Sequence, residues 1–253
     1  PRSAKTPSIF FTLFVSYLKY KSNCKSYLIL RDIFPDWAVD LQLISKGLSF
    51  YILKGFALFQ YHIADRIGVN SPTSKTFIEK YFFLRNKSEV LWTWVGHKDQ
   101  ATEVKNIPIE TRVNFIYSGN MGVAQDIFCF GKLAKKLGNT DGINFLFYGR
   151  GSDKASFEDF VKSEKLSNLT VNDEVSPERL GEIFLECDVG ILGLDIRHTT
   201  SNIPGKFLAY MEAGLPVLAK LNPGNDLIDL ILDYDVGCVV ITDDLDDLEL
   251  AAR

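Results

Sequence analysis

The sequence is poor in the residues that build metal centres and disulfide frameworks. Its 253 residues include three histidines and four cysteines, which lie far apart and form no CxxC pair. These features argue against a zinc site and against a disulfide-stabilised extracellular fold. We therefore interpret the cysteines as reduced core residues of a cytoplasmic protein, and we expect neither a metal nor a cofactor.

Long apolar runs and an excess of positive charge are also missing. The apolar stretch at residues 9–18 is well short of the roughly 20 residues that a transmembrane helix needs. We interpret it as a core helix. The 28 basic and 32 acidic residues are interspersed and give a net charge of -4, so we expect no nucleic-acid partner. The aromatic stretch at residues 48–63 predicts either a buried helix or a helix in peripheral contact with a membrane surface.

What the sequence does contain is a regular alternation of apolar strands and helical patterns in its second half. The predicted strands are residues 113–117, 143–148, 168–172, 189–192, 216–219 and 237–241. This alternation predicts an α/β fold with a doubly wound parallel sheet. Ligands of such sheets bind at the carboxyl ends of the strands.

The first part of the chain has fewer strand signals. We predict helices near residues 7–20, 48–63 and 72–82, and only two strands, at 26–31 and 66–70. Polar residues without a clear period then suggest a linker. The predicted organisation is a first domain at 1–97, a linker at 98–112 and a second domain at 113–253.

Residues 199–219 carry the most informative pattern, TTSNIPGKFLAYMEAGLPVLA. Polar residues and a Pro-Gly pair lead into a short predicted helix with Lys206 in its first turn. The first turn of a helix has unpaired N–H groups at the positive end of the helix dipole, so it binds phosphate readily. The segment predicts an anion site to which Lys206 adds a full charge, although an ordinary loop and helix with a solvated lysine also fits it.

This segment resembles the signature loop and helix of retaining glycosyltransferases of the GT-B type, specifically glycosyltransferase family 4. Residues 115–126, FIYSGNMGVAQD, and 147–151, FYGRG, resemble the first two strand-and-turn units of that family's C-terminal domain. Residues 27–41, YLILRDIFPDWAVDL, are similar to a cleft strand and loop of its N-terminal domain. The sequence of residues 27–41 is especially similar to bacterial O-antigen, capsule and colanic-acid sugar transferases of the L-fucosamine transferase type.

The resemblance implies a GT-B architecture of two Rossmann-like domains, the C-terminal one nearly complete and the N-terminal one truncated. It implies a retaining transfer of a sugar from a nucleotide donor, expected to be a UDP-sugar, to a lipid-linked or polysaccharide acceptor of bacterial surface-polysaccharide synthesis. The expected location is the cytoplasm or the inner face of the cytoplasmic membrane. We expect this chain alone to bind nucleotide weakly and to turn over little.

The resemblance also implies the site residues. The residues expected at the reacting centre are Asp32, Arg31 and Lys206. The residues expected to bind the donor are Gly119, Asn120, Gln125, Tyr148, Arg150, Val175, Ser201, Asn202, Gly205 and Glu212. For Asp32 a local capping role, for Arg150 an ordinary surface charge and for Glu212 a solvated surface position fit the sequence as well.

The sequence departs from the family at several charged positions. Asn120 and Gln125 stand where family members commonly carry Arg and Lys, and Ser201 and Ala209 stand where the family has its paired glutamates. Glu212 lies one helical turn beyond Ala209 and could serve the same region. Two alternatives stay open: a UDP-sugar 2-epimerase, which has the same architecture, and a noncatalytic nucleotide-sugar-binding protein, which these departures would explain.

Overall fold

A computed structural model describes residues 9–94, 112–138, 140, 142–199, 201 and 203–253. The described residues form two compact units. The first takes its residues from 1–93, 197–203 and 224–227, and the second from 94–196, 204–223 and 228–253. Most of the predicted linker at 98–112 lies outside the described residues, so the predicted domain boundaries stay predictions.

The first unit contains a three-stranded parallel sheet with helices. Its strands are β1 (Tyr27–Leu30), β2 (Arg66–Val69) and β3 (Ser88–Val90), in the order β1-β2-β3. Its helices are α1 (Thr12–Ser22), α2 (Asp36–Asp40), α3 (Leu48–Ile63) and α4 (Pro72–Ile78). Helix α4 begins at a clear sequence signal, because the Ser71 hydroxyl accepts the Ser74 N–H at 3.1 Å and Pro72 occupies the first turn.

Three sequence predictions were wrong, two for this unit and one for the cysteines. The prediction of only two strands missed β3, whose three residues are too short and too polar for a strand pattern. Helix α1 is not a core helix, because Thr12 is its one buried residue. Cys24 and Cys238 are exposed rather than in the core, since Cys24 follows the end of α1 and Cys238 lies on an edge strand of the second sheet.

The later part of the chain confirms all six predicted strands. They are β4 (Val113–Asn120), β5 (Ile143–Arg150), β6 (Leu169–Asn172), β7 (Val189–Gly193), β8 (Val217–Lys220) and β9 (Gly237–Val240). The helices are α5 (Ile127–Lys136), α6 (Lys154–Ser163), α7 (Pro177–Phe184), α8 (Gly205–Glu212), α9 (Asp226–Asp233) and α10 (Leu245–Ala252). All strand pairs are parallel, which confirms the predicted α/β class.

The order of this sheet places its ligand crevice. The strands run β6-β5-β4-β7-β8-β9, so the order reverses between β4 and β7, and doubly wound sheets bind ligands at such a switch point. Aromatic rings pack at the centre of the sheet: Phe115 stacks on Phe145, and Tyr117 stacks on Phe147 at 5.1 Å between ring centres. The turn that follows β4 therefore lies on a densely packed base.

Candidate functional site

The site is built around the glycine turn at the end of β4. Gly119 pairs with Gly149 across β4 and β5, and its φ of +116° lies in the region that favours glycine. A methyl group at Gly149 would lie 1.8 Å from the Gly119 carbonyl oxygen. The two strand ends can approach this closely only because Gly149 lacks a side chain.

Asn120 and Gln125 close this turn by bonding to one another. The Asn120 side-chain amide donates to Gln125 Oε1 at 2.8 Å, and the Gly122 N–H donates to the same oxygen at 3.2 Å. The Tyr117 hydroxyl donates to the Asn120 carbonyl. Two neutral amides thus hold the shape of the turn at the positions where the sequence resemblance would place cations.

Lys206 lies in the first turn of α8, beside this glycine turn. A methyl group at Gly119 would be 3.8 Å from Lys206 Cε and 4.0 Å from its Nζ. The Nζ lies 3.5 Å from the centre of the Tyr117 ring. The structure therefore brings together Lys206 and the Gly119 turn, two features that are far apart in the sequence.

The ammonium group of Lys206 has an unusual environment. Its Nζ is buried and has no hydrogen-bond partner among the described residues. Burial lowers the pKa of Lys206 to about 7, because a charge without water or a counter-ion is costly. The face of the Tyr117 ring supplies only a cation–π contact. A positively charged group held in this way is prepared for an anion.

Tyr210 fixes the helix that carries Lys206. Positions i and i+4 share one face of a helix, so Tyr210 lies on the same side of α8 as Lys206. Its hydroxyl donates to the Ile116 carbonyl at 3.1 Å and accepts the Ser118 N–H at 3.0 Å. Gly190 makes room for the ring, since a methyl group there would lie 2.4 Å from it. The N-terminus of α8 is thereby held against β4.

The remaining donor residues of the second unit are more exposed. Arg150 pairs through its Nε with Glu174 at 3.1 Å, and Tyr148 and Val175 are half-buried. Gly205, the first residue of α8, and Glu212, its last residue, are both exposed. At 1.5 Å per residue, Glu212 is about 10 Å along the helix axis from the first turn.

The other predicted residues belong to the first unit. Asp32 is half-buried, and the Arg31 carbonyl accepts the Asn70 side-chain amide at 3.2 Å. Ser201 is buried, and its hydroxyl accepts the Asp226 N–H at 3.1 Å. Asn202 lies outside the described residues. The structure thus gives Ser201 a local partner, and its predicted contact with the donor stays a prediction.

Sequence reasoning missed Tyr117, Tyr210 and an ion-pair cluster next to the turn. That cluster consists of Lys220, Asp126 and Asp243, with Lys220 Nζ 2.5 Å from Asp126 and 2.6 Å from Asp243. One signal could have suggested this cluster: Lys220 ends the apolar strand β8, and a lysine buried at such a position needs partners of opposite charge.

Two further observations concern the described residues as a whole. None of their helices combines the length and apolar character that a membrane crossing requires. In the same part of the chain, histidine, cysteine and carboxylate side chains do not gather into a group of three that could hold a metal ion.

No protein-family model matches the chain. Among curated proteins, the probable glycosyltransferase WbjE of Pseudomonas aeruginosa is 23% identical over 250 residues. The match covers 93% of this chain and 60% of WbjE. The chain thus spans less than two thirds of the length of this relative.

Solved glycosyltransferase structures share the fold. HepE of Anabaena, in complex with UDP and glucose, has a TM-score of 0.70 at 10% identity, over 96% of this chain and 64% of HepE. WaaG, a glycosyltransferase involved in lipopolysaccharide biosynthesis, has a TM-score of 0.66 at 14% identity, over 96% of this chain and 72% of WaaG. The pneumococcal O-GlcNAc transferase GtfA, in complex with UDP and GlcNAc, has a TM-score of 0.63 at 13% identity, over 96% of this chain and 51% of GtfA. These likenesses confirm the α/β class of the GT-B fold.

Proposed function

We propose that this chain is the larger part of a glycosyltransferase that moves a sugar from a UDP-sugar to a lipid-linked or polysaccharide acceptor in bacterial surface-polysaccharide synthesis. The observation that carries the proposal is the buried Nζ of Lys206, which lies at the N-terminus of α8 next to the Gly119 turn and has no hydrogen-bond partner among the described residues. The similarity to WbjE and the UDP complexes of the fold neighbours HepE and GtfA support it.

Lys206 is the residue that meets the charge of the leaving group. Glycosyl transfer breaks the bond between the anomeric carbon and the β-phosphate oxygen, so negative charge grows on the diphosphate. Fixed cations and N–H donors in a site without water stabilise that charge most effectively. A diphosphate bound beside Lys206 raises the pKa of the ammonium group again, because the anion replaces the missing counter-ion.

The backbone around Lys206 supplies the remaining donors. The N–H groups of the first two residues of α8, and those N–H groups of the Gly119–Gln125 turn that are not already bonded within the fold, bind phosphate oxygens. The absent glycine side chains allow a close approach. In this assignment Asn120 and Gln125 contribute neutral amide contacts, and Tyr148, Arg150 and Val175 face the nucleotide base. The charge of the leaving group is then carried mainly by Lys206.

The proposal also covers the family, the location and the remaining predicted residues. We assign the protein to glycosyltransferase family 4, with retention of the anomeric configuration, and we place it in the cytoplasm with peripheral contact to the inner membrane face. Asp32 and Arg31 contact the sugar or acceptor, Ser201, Asn202 and Glu212 complete the donor site, and no metal is needed because Lys206 fills that electrostatic role.

Calorimetric titration with UDP tests the donor site directly. We expect the chain to bind UDP weakly and Lys206→Ala to lose about 1.5 to 3 kcal/mol of binding free energy, the value of a charge-assisted hydrogen bond. Lys132→Ala is the matched control, since Lys132 is an exposed lysine of α5 in the same unit and should bind UDP like the wild type. Equal affinities of the wild type and Lys206→Ala would contradict the assignment.

Product analysis with UDP-sugars and lipid-linked acceptors then tests the activity. A new glycoside supports the transferase. An epimerised sugar would instead establish the 2-epimerase alternative. UDP binding without either product would establish a noncatalytic binding protein, provided that a longer form of the protein also makes neither product. The neutral Asn120–Gln125 pair favours this alternative over the epimerase.

A further inference from the structure

Lys220 is a buried lysine that the proposed function does not use. It is the last residue of β8 and only 3% exposed. Its Nζ donates to Asp126 Oδ2 at 2.5 Å and to Asp243 Oδ1 at 2.6 Å. Burial alone lowers the pKa of Lys220, but the hydrogen bonds to both carboxylates outweigh it and raise the pKa above its usual value. The lysine is therefore charged at neutral pH.

Asp126 connects this lysine to the turn after β4. It directly follows the short 3-10 turn Val123–Gln125 and precedes α5. Its φ of +41° is left-handed, a conformation that costs a residue with a side chain of order 1 kcal/mol. Such a backbone persists only where its surroundings hold it, and the bond from Lys220 to the Asp126 carboxylate is suited to that task.

The turn is held from β7 as well. The Asp195 N–H donates to the Ala124 carbonyl at 3.0 Å. A methyl group at Gly193 would lie 2.2 Å from the Gln125 carbonyl oxygen, so the turn crosses close over the end of β7. The chain from residue 121 to 126 is thus attached at two neighbouring strand ends, and the attachment to β8 is made by Lys220.

The position of Asp126 determines the position of Gln125. The Gln125 side chain accepts both the Asn120 amide and the Gly122 N–H. A shift of the backbone at Asp126 therefore changes the polar groups that line the Gly119 turn. No described contact joins Lys220 itself to that lining, so an influence of Lys220 on a ligand there has to pass through Asp126.

We propose that Lys220 is a positioning residue: by holding Asp126 it sets the geometry of residues 120–125 for binding the diphosphate. This inference rests on the proposed function for its ligand. The simpler interpretation is an ion-pair cluster that only stabilises the second unit. The two differ in a measurable way, because a purely stabilising cluster affects unfolding but leaves the affinity of the folded protein unchanged.

The two carboxylates of the cluster provide matched variants. Asp126→Asn weakens the bond between Lys220 and the turn, whereas Asp243→Asn weakens a bond to the same lysine on the far side of the turn. We expect Asp126→Asn and Lys220→Met to bind UDP about tenfold more weakly or worse, which corresponds to the loss of about 1.4 kcal/mol. Asp243→Asn should stay within about twofold of the wild type, and Lys220→Arg should recover most of the affinity.

Hydrogen exchange gives a readout that does not need a ligand. Followed by mass spectrometry on a peptide that covers residues 119–127, exchange should be faster in Asp126→Asn than in Asp243→Asn, at matched unfolding temperatures. Asp126→Asn also keeps the test informative if Lys220→Met does not fold. Equal exchange and equal UDP affinity in the two Asn variants would overturn the proposal.

The failure of the positioning role and of the proposed function can be told apart. If the wild type binds UDP and the two Asn variants bind it equally, the donor site stands and the positioning role is refuted. If the wild type binds no UDP while only Asp126→Asn loosens residues 119–127, the proposed function fails and the role of Lys220 in shaping the turn stands.

Discussion

Lys206 and Lys220 lie in the same unit and both bury their ammonium groups, yet their surroundings are opposite. Lys220 Nζ lies between the carboxylates of Asp126 and Asp243, at 2.5 and 2.6 Å. Lys206 Nζ has no hydrogen-bond partner among the described residues and faces the Tyr117 ring. Burial lowers the pKa of Lys206, whereas the bonds to two carboxylates overcome burial and raise that of Lys220.

The difference separates a structural cation from one that is available to a ligand. A buried charge is stable in a folded protein when hydrogen bonds replace its water. Lys220 has such bonds, so its charge is already used within the fold. Lys206 has no such bonds in the part of the chain that the structure describes, and its charge is fully compensated only when an anion binds. The contrast predicts opposite effects of the same substitution at the two positions.

The largest expected effect is that of Lys220→Met on stability. Removing one partner of a buried ion pair typically costs 3 to 5 kcal/mol, and because Asp126 and Asp243 are partly exposed we expect a loss of about 2 to 3 kcal/mol. Urea unfolding at pH 7, followed by circular dichroism, measures it. An unchanged free energy of unfolding would mean that the cluster contributes nothing to the fold, and Lys132→Met serves as the exposed control.

The second largest expected effect is a gain in the free energy of unfolding, in the variant Lys206→Met. Lys206→Met removes a buried ammonium group and keeps apolar contact with Tyr117, so we expect the protein without ligand to gain about 1 to 2 kcal/mol of stability. The same variant should lose UDP binding. This combination of higher stability and lower affinity is the pattern of a functional site. A destabilised Lys206→Met variant would contradict the comparison, since it would give Lys206 a structural role like that of Lys220.

The fold could be predicted from the sequence to a large extent. The strands β4 to β9 are apolar runs bounded by glycine and turn residues, and their alternation with helices fixes a parallel sheet. Strand β3 could not be predicted, because Ser88, Glu89 and Val90 form a strand only through pairing with β2. The exposure of Cys238 could not be predicted for a similar reason, since only the strand order shows that β9 is an edge strand.

The candidate site could be predicted only where its signal is local. Lys206 follows a Pro-Gly pair at a helix start, and that pattern is visible in a single segment. That its Nζ has no hydrogen-bond partner within the described ranges depends on tertiary packing. The bond from Lys220 to Asp126 joins residues 94 positions apart, and no sequence spacing indicates it. The polar groups of a site can be listed from the sequence, but whether each is already paired depends on packing.

The smallest expected effect is a pH dependence that only one of the two lysines shows. In the unfolded chain a lysine has a pKa near 10.4, while folded Lys206 has a pKa of about 7. Unfolding therefore takes up a proton between these values, and the unfavourable contribution of Lys206 is largest below pH 7 and shrinks as the pH rises. From pH 7 to pH 9 the stability advantage of Lys206→Met over the wild type should narrow, because the wild type loses part of the unfavourable contribution of Lys206.

Lys220 should give no such change, and this makes the test specific. Its folded pKa lies above the unfolded value, so its stabilising contribution is complete below about pH 10 and is lost only as the pH rises through the folded value. The deficit of Lys220→Met should therefore be the same at pH 7 and pH 9. Comparing each variant with the wild type at both pH values cancels the titration of other groups, such as Cys129, whose pKa is raised by burial. If the free energies of unfolding of Lys206→Met and the wild type change in parallel with pH, Lys206 keeps its charge in the folded state. The two lysines would then differ only in their hydrogen-bond partners.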